Sequence, residues 1–120
     1  MNNIDIGKIE KLTTEFIKER DWEQFHSIKN LVMALSVETS ELVELFQWLK
    51  EEETNDIKNN PKLKQRAEEE IADIFIYLLR IAINSGIDIE KAALLKIKKN
   101  AQKYPVEKSK GNSLKYKDFS

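Results

Sequence analysis

The fold is decided by the stretch Glu70-Ile71-Ala72-Asp73-Ile74-Phe75-Ile76-Tyr77-Leu78-Leu79. Apart from its two carboxylates the stretch is almost wholly apolar, which predicts a helix enclosed by other helices. An ionised Asp73 in such surroundings costs several kcal/mol unless a partner compensates its charge. No Lys or Arg lies one helical turn before Asp73, and Arg80 follows only seven residues later. The compensating charge must therefore come from outside this stretch.

The composition predicts one compact helical domain. The chain has 120 residues, of which 41% are hydrophobic and 34% charged, with only three glycines and two prolines. It has no cysteine, which excludes disulfides and thiolate metal sites and fits a reducing compartment. The N-terminus lacks the features of a signal peptide, and no apolar run approaches the ~20 residues of a membrane span. The net charge of −1 gives no electrostatic reason to expect membrane or nucleic-acid partners. We expect a cytoplasmic protein.

Hydrophobic periodicity predicts four helices. The second is apolar nearly all round from Leu31 to Leu49, so it must be enclosed by helices of its own chain or of a second subunit. Asn60 before Pro61 marks the start of the third helix, Gly86 its end, and Asp88 the start of the fourth. The predicted helices cover residues 5–19, 27–52, 61–84 and 89–103.

These helices predict an all-α fold, a four-helix antiparallel bundle that is oligomeric. We expect residues 1–105 to form the helical domain. Residues 106–120 are predicted to form a polar, Lys-rich tail that is extended or docked on a neighbour. Two helices that are apolar all round have more apolar surface than two thinner helices can cover, which favours a homo-oligomer.

Two carboxylate pairs carry the candidate chemistry. Glu38 and Glu41 share one helix face, as do Glu70 and Asp73, because positions three and four apart are neighbours. Packed antiparallel, the two helices would bring the four carboxylates into one cleft, where they would repel unless cations lay between them. All-oxygen ligation suits Mg²⁺, Mn²⁺ or Ca²⁺. The sole histidine, His26, is not at the Glu-x-x-His spacing of a di-iron bundle.

Each feature also has an ordinary structural interpretation. Glu-x-x-Glu is common on solvated helix faces, and Glu70 belongs to the acidic run 68–70. The aromatic connection containing Trp22, Phe25 and His26 could cap the end of the bundle or face a ligand. Trp48 follows the first carboxylate pair on the same face, and its ordinary structural interpretation is packing in the core. Asp73 favours the metal interpretation, because Asp is a poor mid-helix residue and is costly to bury.

The motifs resemble the MazG-like all-α nucleoside triphosphate pyrophosphohydrolases. Glu38-x-x-Glu41 is followed, after a gap of 28 residues, by Glu70-x-x-Asp73. The resemblance is closer to the dCTP pyrophosphatase branch and covers nearly the whole chain in order. The further matching stretches are Arg20–His26 (RDWEQFH), Glu41–Trp48 (ELVELFQW), Asp73–Leu78 (DIFIYL), Lys98–Pro105 (KKNAQKYP), Lys110-Gly111 and Lys115-Tyr116.

The resemblance implies hydrolysis of dCTP-like or non-canonical nucleoside triphosphates to the monophosphate and pyrophosphate, a house-cleaning of the nucleotide pool. It implies Mg²⁺, or Mn²⁺, held by four metal ligands: Glu38, Glu41, Glu70 and Asp73. Glu38 or Glu41 would act on the attacking water.

It further implies that aromatic and imidazole side chains hold the base, namely Trp22, His26, Trp48 and Tyr77. A polar group near the end of the fourth helix would meet the phosphates: Asn100, Lys103 and Tyr104. The assembly would be a homodimer or a tetramer built as a dimer of dimers. The alternative function is a catalytically silent helical dimerisation or binding module that has kept the fold.

Overall fold

The computed structural model describes residues 3–111, which fold into helices joined by short turns, and these residues contain no strand. The predicted all-α class is confirmed. Part of the predicted tail, including Lys115-Tyr116, lies outside the described residues. The helices are α1 (Ile6–Glu19), α2 (Ile28–Phe46), α3 (Glu51–Asn55), α4 (Pro61–Asn84), α5 (Ile89–Lys103) and α6 (Val106–Ser109), with 3₁₀ turns at Glu23–Phe25 and Ile57–Asn59.

The four long helices begin at side-chain caps. The side chains of Asp5, Ser27, Asn60 and Asp88 each accept a hydrogen bond from the backbone N–H three residues later, at 3.0 to 3.2 Å. Each such cap satisfies an otherwise unpaired donor and contributes about 1 kcal/mol. The predicted caps Asn60 and Asp88 are therefore confirmed. Gly86 has a φ of 66°, the left-handed conformation predicted for it after α4.

The predicted second helix, residues 27–52, is wrong at its C-terminal end. Helix α2 stops at Phe46, and α3 starts separately at Glu51. The cause is a new helix start: Lys50 has an extended backbone, and its N–H donates to the Glu53 side chain at 3.1 Å. Because no glycine or proline lies between Phe46 and Glu51, the sequence contains no conventional stop signal.

Helices α2 and α4 pack against each other in antiparallel orientation. At one end the Asn84 side chain donates to the His26 carbonyl at 3.4 Å, and at the other end Leu45 and Arg66 line a common cavity. Helix α1 is tied to α4 through its packing and a side-chain hydrogen bond described below. Among the described residues, six are buried and form the core: Ile17, Leu31, Leu63, Ala67, Leu79 and Ala82.

Only one face of each central helix is covered within the chain. On α2, Val32, Met33, Val37 and Val43 are exposed although the sequence is apolar all round. On α4, Ile71 is 55% exposed. The expectation that α2 is enclosed on several sides is therefore not met by the chain alone. Enclosure by a second subunit stays a prediction.

The chain forms two compact units, residues 1–86 and 87–120. The first unit holds α1 to α4. The fourth long helix, α5, belongs to the second unit. Apart from the half-buried Ile89, every residue of α5 is exposed.

Residues 106–109 form the short helix α6, so the predicted tail does not begin as an extended segment. The predicted domain boundary at residue 105 stays a prediction. Within the described residues, no helix combines the length and apolar character needed to cross a membrane.

Candidate active site

Three of the four predicted carboxylates meet where α2 packs on α4. Glu38 and Glu41 lie one turn apart on α2, and Glu70 comes from α4. Each offers a carboxylate oxygen, and these oxygens lie within 4.8 Å of one another. Glu38 and Glu70 are half-buried, whereas Glu41 is exposed. The antiparallel pair of helices thus builds an acidic cluster open to solvent on one side.

Burial and mutual repulsion disfavour full ionisation of this cluster. Burial, hydrogen bonding to Glu41 and Glu70, and the charges of Glu41 and Asp73 raise the pKa of Glu38 to about 7. The pKa of Glu70 is raised as well, most by burial and next by its hydrogen bond with Glu41. The hydrogen bond between Glu38 and Glu70 raises the pKa of the first and lowers that of the second.

The cluster has the chemistry of a divalent-cation site. Oε2 of Glu38 and Oε2 of Glu70 are buried and have no hydrogen-bond partner within the described chain. Buried polar atoms of native proteins are normally satisfied. A hard cation would both coordinate these oxygens and neutralise the crowded charge, and carboxylate oxygens are the ligands that such cations prefer. The residues present therefore fit a bound divalent metal.

Asp73 lies beside this cluster but is not one of the three converging carboxylates. It follows Glu70 by one turn of α4, and its negative charge helps to raise the pKa values of Glu38, Glu70 and Tyr77. Its predicted burial is wrong for the chain alone, because Asp73 is exposed. The apolar neighbours that predicted burial include Ile71, which is itself exposed.

An aromatic cavity of about 360 Å³ adjoins Asp73. Three of the predicted base-binding residues, Trp22, His26 and Tyr77, line it. The ring of Trp22 meets that of Phe16 edge to face, with centroids 5.7 Å apart. The full lining is Leu12, Thr13, Phe16, Ile17, Trp22, His26, Leu31, Asp73, Ile76, Tyr77 and Arg80. Because Asp73 belongs to this lining, the cavity begins at the carboxylates.

Trp48 lies at a different cavity, of about 530 Å³, which also borders the carboxylates. Glu41, Glu70 and Arg66 line this Trp48 cavity as well. The Trp48 side chain is 88% exposed, so it is not a core residue of the chain. The sequence alternative in which Trp48 packs inside the subunit is therefore wrong.

The predicted phosphate-binding residues lie in the second compact unit. Asn100 and Lys103 are in the last turn of α5, and Tyr104 caps that helix, its N–H donating to the Asn100 carbonyl at 2.8 Å. Their role toward phosphates stays a prediction.

Sequence reasoning gave no role to Arg80, the cation of the aromatic cavity. Arg80 is half-buried on α4, and its Nη2 donates to Oγ1 of Thr14 on α1 at 2.8 Å. Its Nε is buried and has no hydrogen-bond partner in the described part of the chain. The available signal was the 3, 4, 3 spacing of Glu70, Asp73, Tyr77 and Arg80, which puts all four on one helix face.

The protein is all-α, and its site is acidic and suited to binding a cation. The carboxylates come from two antiparallel helices and border two cavities that contain aromatic residues. Residues 33–119 match the MazG-like family. The chain belongs to that family.

Named relatives and a solved structure agree with this assignment. The chain is 44% identical to dCTP pyrophosphatase 1 of Bos taurus and 39% identical to that of Homo sapiens, each over 111 residues. These matches cover 92% of the chain but 66% and 65% of the relatives. The chain thus spans just under two thirds of their length. The crystal structure of a pyrophosphatase from Archaeoglobus fulgidus superposes with a TM-score of 0.76 at 33% identity, covering 88% of this chain and 96% of that one.

Proposed function

We propose that the protein is a Mg²⁺-dependent nucleoside triphosphate pyrophosphohydrolase acting on dCTP-like or non-canonical nucleotides. The observation that carries the proposal is the acidic cluster beside an aromatic cavity, in which two buried carboxylate oxygens have no hydrogen-bond partner among residues 3–111. The names of the relatives, dCTP pyrophosphatase 1 and a pyrophosphatase, support the same reaction class. The intact set of carboxylates argues against a catalytically silent helical module.

Glu38, Glu41, Glu70 and Asp73 would hold the metal, with Mn²⁺ as the alternative ion. When bound, the ion supplies charge neutralisation to the triphosphate and polarises the reacting phosphorus. The chain's own contribution would be to hold these ligands on two helices, and the carboxylate oxygens of Glu38, Glu41 and Glu70 lie within 4.8 Å of one another.

The proposed reaction is attack of water on the α-phosphorus. The water oxygen bonds to that phosphorus, the bond to the oxygen bridging the α and β phosphates breaks, and pyrophosphate leaves with that oxygen. The proton lost by the water passes to a carboxylate. Glu38 and Glu41 are both candidates for this role. The products are the nucleoside monophosphate and pyrophosphate.

The base would stack in the aromatic cavity, which Trp22 and Tyr77 both line. His26 completes the polar part of the lining. Stacking of an aromatic side chain on a base contributes about 1–3 kcal/mol. Trp48 would contact the nucleotide from the Trp48 cavity, and Asn100, Lys103 and Tyr104 would contact the phosphates.

The proposed assembly is a homodimer or a dimer of dimers, located in the cytoplasm. It is supported by the exposed apolar residues of α2, Val32, Met33, Val37 and Val43, since such surface is normally covered.

The test is pyrophosphate release from a panel of canonical and modified nucleoside triphosphates, measured with Mg²⁺ and with EDTA. We expect release with Mg²⁺, fastest for cytosine nucleotides, and none with EDTA. Glu38→Gln should abolish release, while Glu52→Gln, which removes an exposed charge on α3, serves as the control. A protein that releases pyrophosphate from no nucleotide would be the silent module instead.

A further inference from the structure

One face of α4 presents functional groups in the order of the parts of a nucleotide. Glu70 and Asp73 come first, Tyr77 follows one turn later, and Arg80 comes next. At a rise of 1.5 Å per residue, Asp73 and Arg80 are roughly 10 Å apart along the helix axis. This distance is of the order of the span of a nucleoside from its phosphate-bearing oxygen to the far edge of its base. Asp73 and Arg80 line the same aromatic cavity.

Arg80 lines this cavity with hydrogen-bonding capacity unused. Its Nη2 is engaged by Thr14 Oγ1, but its Nε–H is buried without an acceptor, and no salt bridge joins it to Asp73 in the described residues. A guanidinium has five donors and no acceptor. A buried donor without a partner is costly, and a functional role is one of the physical explanations for such a group.

We infer that Arg80 is a specificity-determining residue, whose guanidinium donates hydrogen bonds to the acceptor edge of a cytosine ring held in the aromatic cavity. The inference rests on the proposed function, since it places the triphosphate at the carboxylate end of the cavity. To the proposed function it adds which residue recognises the base and which edge of the base is recognised.

The chemistry of the pyrimidines explains the preference. Cytosine carries two adjacent acceptors, O2 and N3, which match two parallel N–H donors of a guanidinium as the O6 and N7 pair of guanine does. Uracil and thymine carry an N3–H donor at the middle of that edge. This donor would face the donors of Arg80, leaving a desolvated group unpaired.

A purely structural role for Arg80 makes a different prediction. The hydrogen bond to Thr14 ties α4 to α1, so its loss could loosen the cavity wall. Loosening would weaken the binding of every nucleotide by a similar factor. Loss of base recognition would instead change the ratio of the affinities for cytosine and uracil nucleotides.

The experiment is calorimetric titration of the full chain with dCMP and with dUMP in the presence of Mg²⁺. The variants are Arg80→Met, Arg80→Lys and Thr14→Val. Lys64→Met, which removes an exposed cation on the same helix, is the matched control. We expect Arg80→Met to weaken dCMP binding about 10-fold or more and dUMP binding less than about threefold. Arg80→Lys should also lose most of the preference, because an ammonium cannot present two parallel donors.

Several outcomes would overturn the inference. Two concern the wild-type protein, which would bind dCMP and dUMP with equal affinity or bind neither. The others are an Arg80→Met variant that binds both monophosphates more weakly by the same factor, and an Arg80→Lys variant that keeps the full preference for dCMP. If Arg80→Met does not fold by circular dichroism, Arg80→Lys and Thr14→Val decide, with Thr14→Val expected to reduce the preference by freeing the guanidinium. The wild-type protein could release no pyrophosphate while the Arg80 variants still lose the preference for dCMP. That result would refute the proposed function but not the inference about Arg80.

Discussion

Replacing Glu38 by glutamine should change how the stability of the metal-free protein depends on pH. The folded protein raises the pKa of Glu38 from 4.5 to about 7, mainly through burial and through Glu41 and Glu70. Between these two pH values the unfolded chain has lost its proton while the folded chain keeps it. The free energy of unfolding therefore falls as pH rises from about 4.5 to about 7, and the loss is complete above that range.

The size of this effect follows from the two pKa values. A rise from 4.5 to about 7 corresponds to at most about 3 kcal/mol, at 1.36 kcal/mol per pKa unit. Solvent screening at the open side of the cluster reduces this to about 1–2 kcal/mol. Because glutamine cannot ionise, Glu38→Gln should be more stable than wild type by about 1–2 kcal/mol at pH 8 and of similar stability at pH 4.5.

Urea unfolding followed by circular dichroism, in EDTA at several pH values between 4.5 and 8, measures this difference. Glu44→Gln removes one carboxylate from the same helix outside the three-carboxylate cluster and serves as the control. Adding Mg²⁺ should narrow the difference, since an ion at ten times its dissociation constant stabilises the folded state by about 1.4 kcal/mol. The variant, with one ligand fewer, should gain less.

Two results would refute this reasoning. One is a variant whose stability changes with pH as steeply as that of wild type. The other is a variant that gains as much from Mg²⁺ as wild type does, because Glu38 would then be neither the titrating group nor a ligand.

Three further predictions concern single side chains. Asp73→Asn should lower pyrophosphate release at least about 100-fold with an unchanged circular dichroism spectrum, whereas normal release would remove Asp73 from the site. Trp48→Ala should raise the KM for dCTP about 10-fold and leave the melting temperature unchanged, since the ring is exposed; an unchanged KM contradicts a nucleotide contact. Leu31→Ala should lower the free energy of unfolding by about 2–5 kcal/mol in urea, because Leu31 is 1% exposed; a loss below about 1 kcal/mol would contradict its core position.

Much of the site's scaffold follows from local spacing. Glu38 and Glu41 share a face because they are three residues apart, and the antiparallel packing of two long helices brings Glu70 opposite them. The helix starts at Asn60 and Asp88 were readable because a cap is a local interaction. Such features need only the periodicity of a helix and the chemistry of one side chain.

Other features depend on contacts that one sequence does not encode locally. The end of α2 at Phe46 has no glycine or proline signal, and it is set by the new helix start at Lys50. The exposure of Asp73 depends on which face of α4 meets α2, and an apolar run gives no preferred face. The position of Arg80 at the aromatic cavity depends on where α1 and Thr14 lie, 66 residues away in the chain.

The two tryptophans of the chain provide separate optical reporters. Trp48 is 88% exposed and adjoins Glu41 and Glu70, whereas Trp22 is 44% exposed and packs edge to face on Phe16 in the aromatic cavity. Native fluorescence from Trp48 should be the more sensitive to a quencher in water. Emission from Trp22 should respond to a ring that enters beside it. A variant that keeps only one of the two tryptophans can therefore distinguish optically an ion or phosphate at the carboxylates from a base in the cavity.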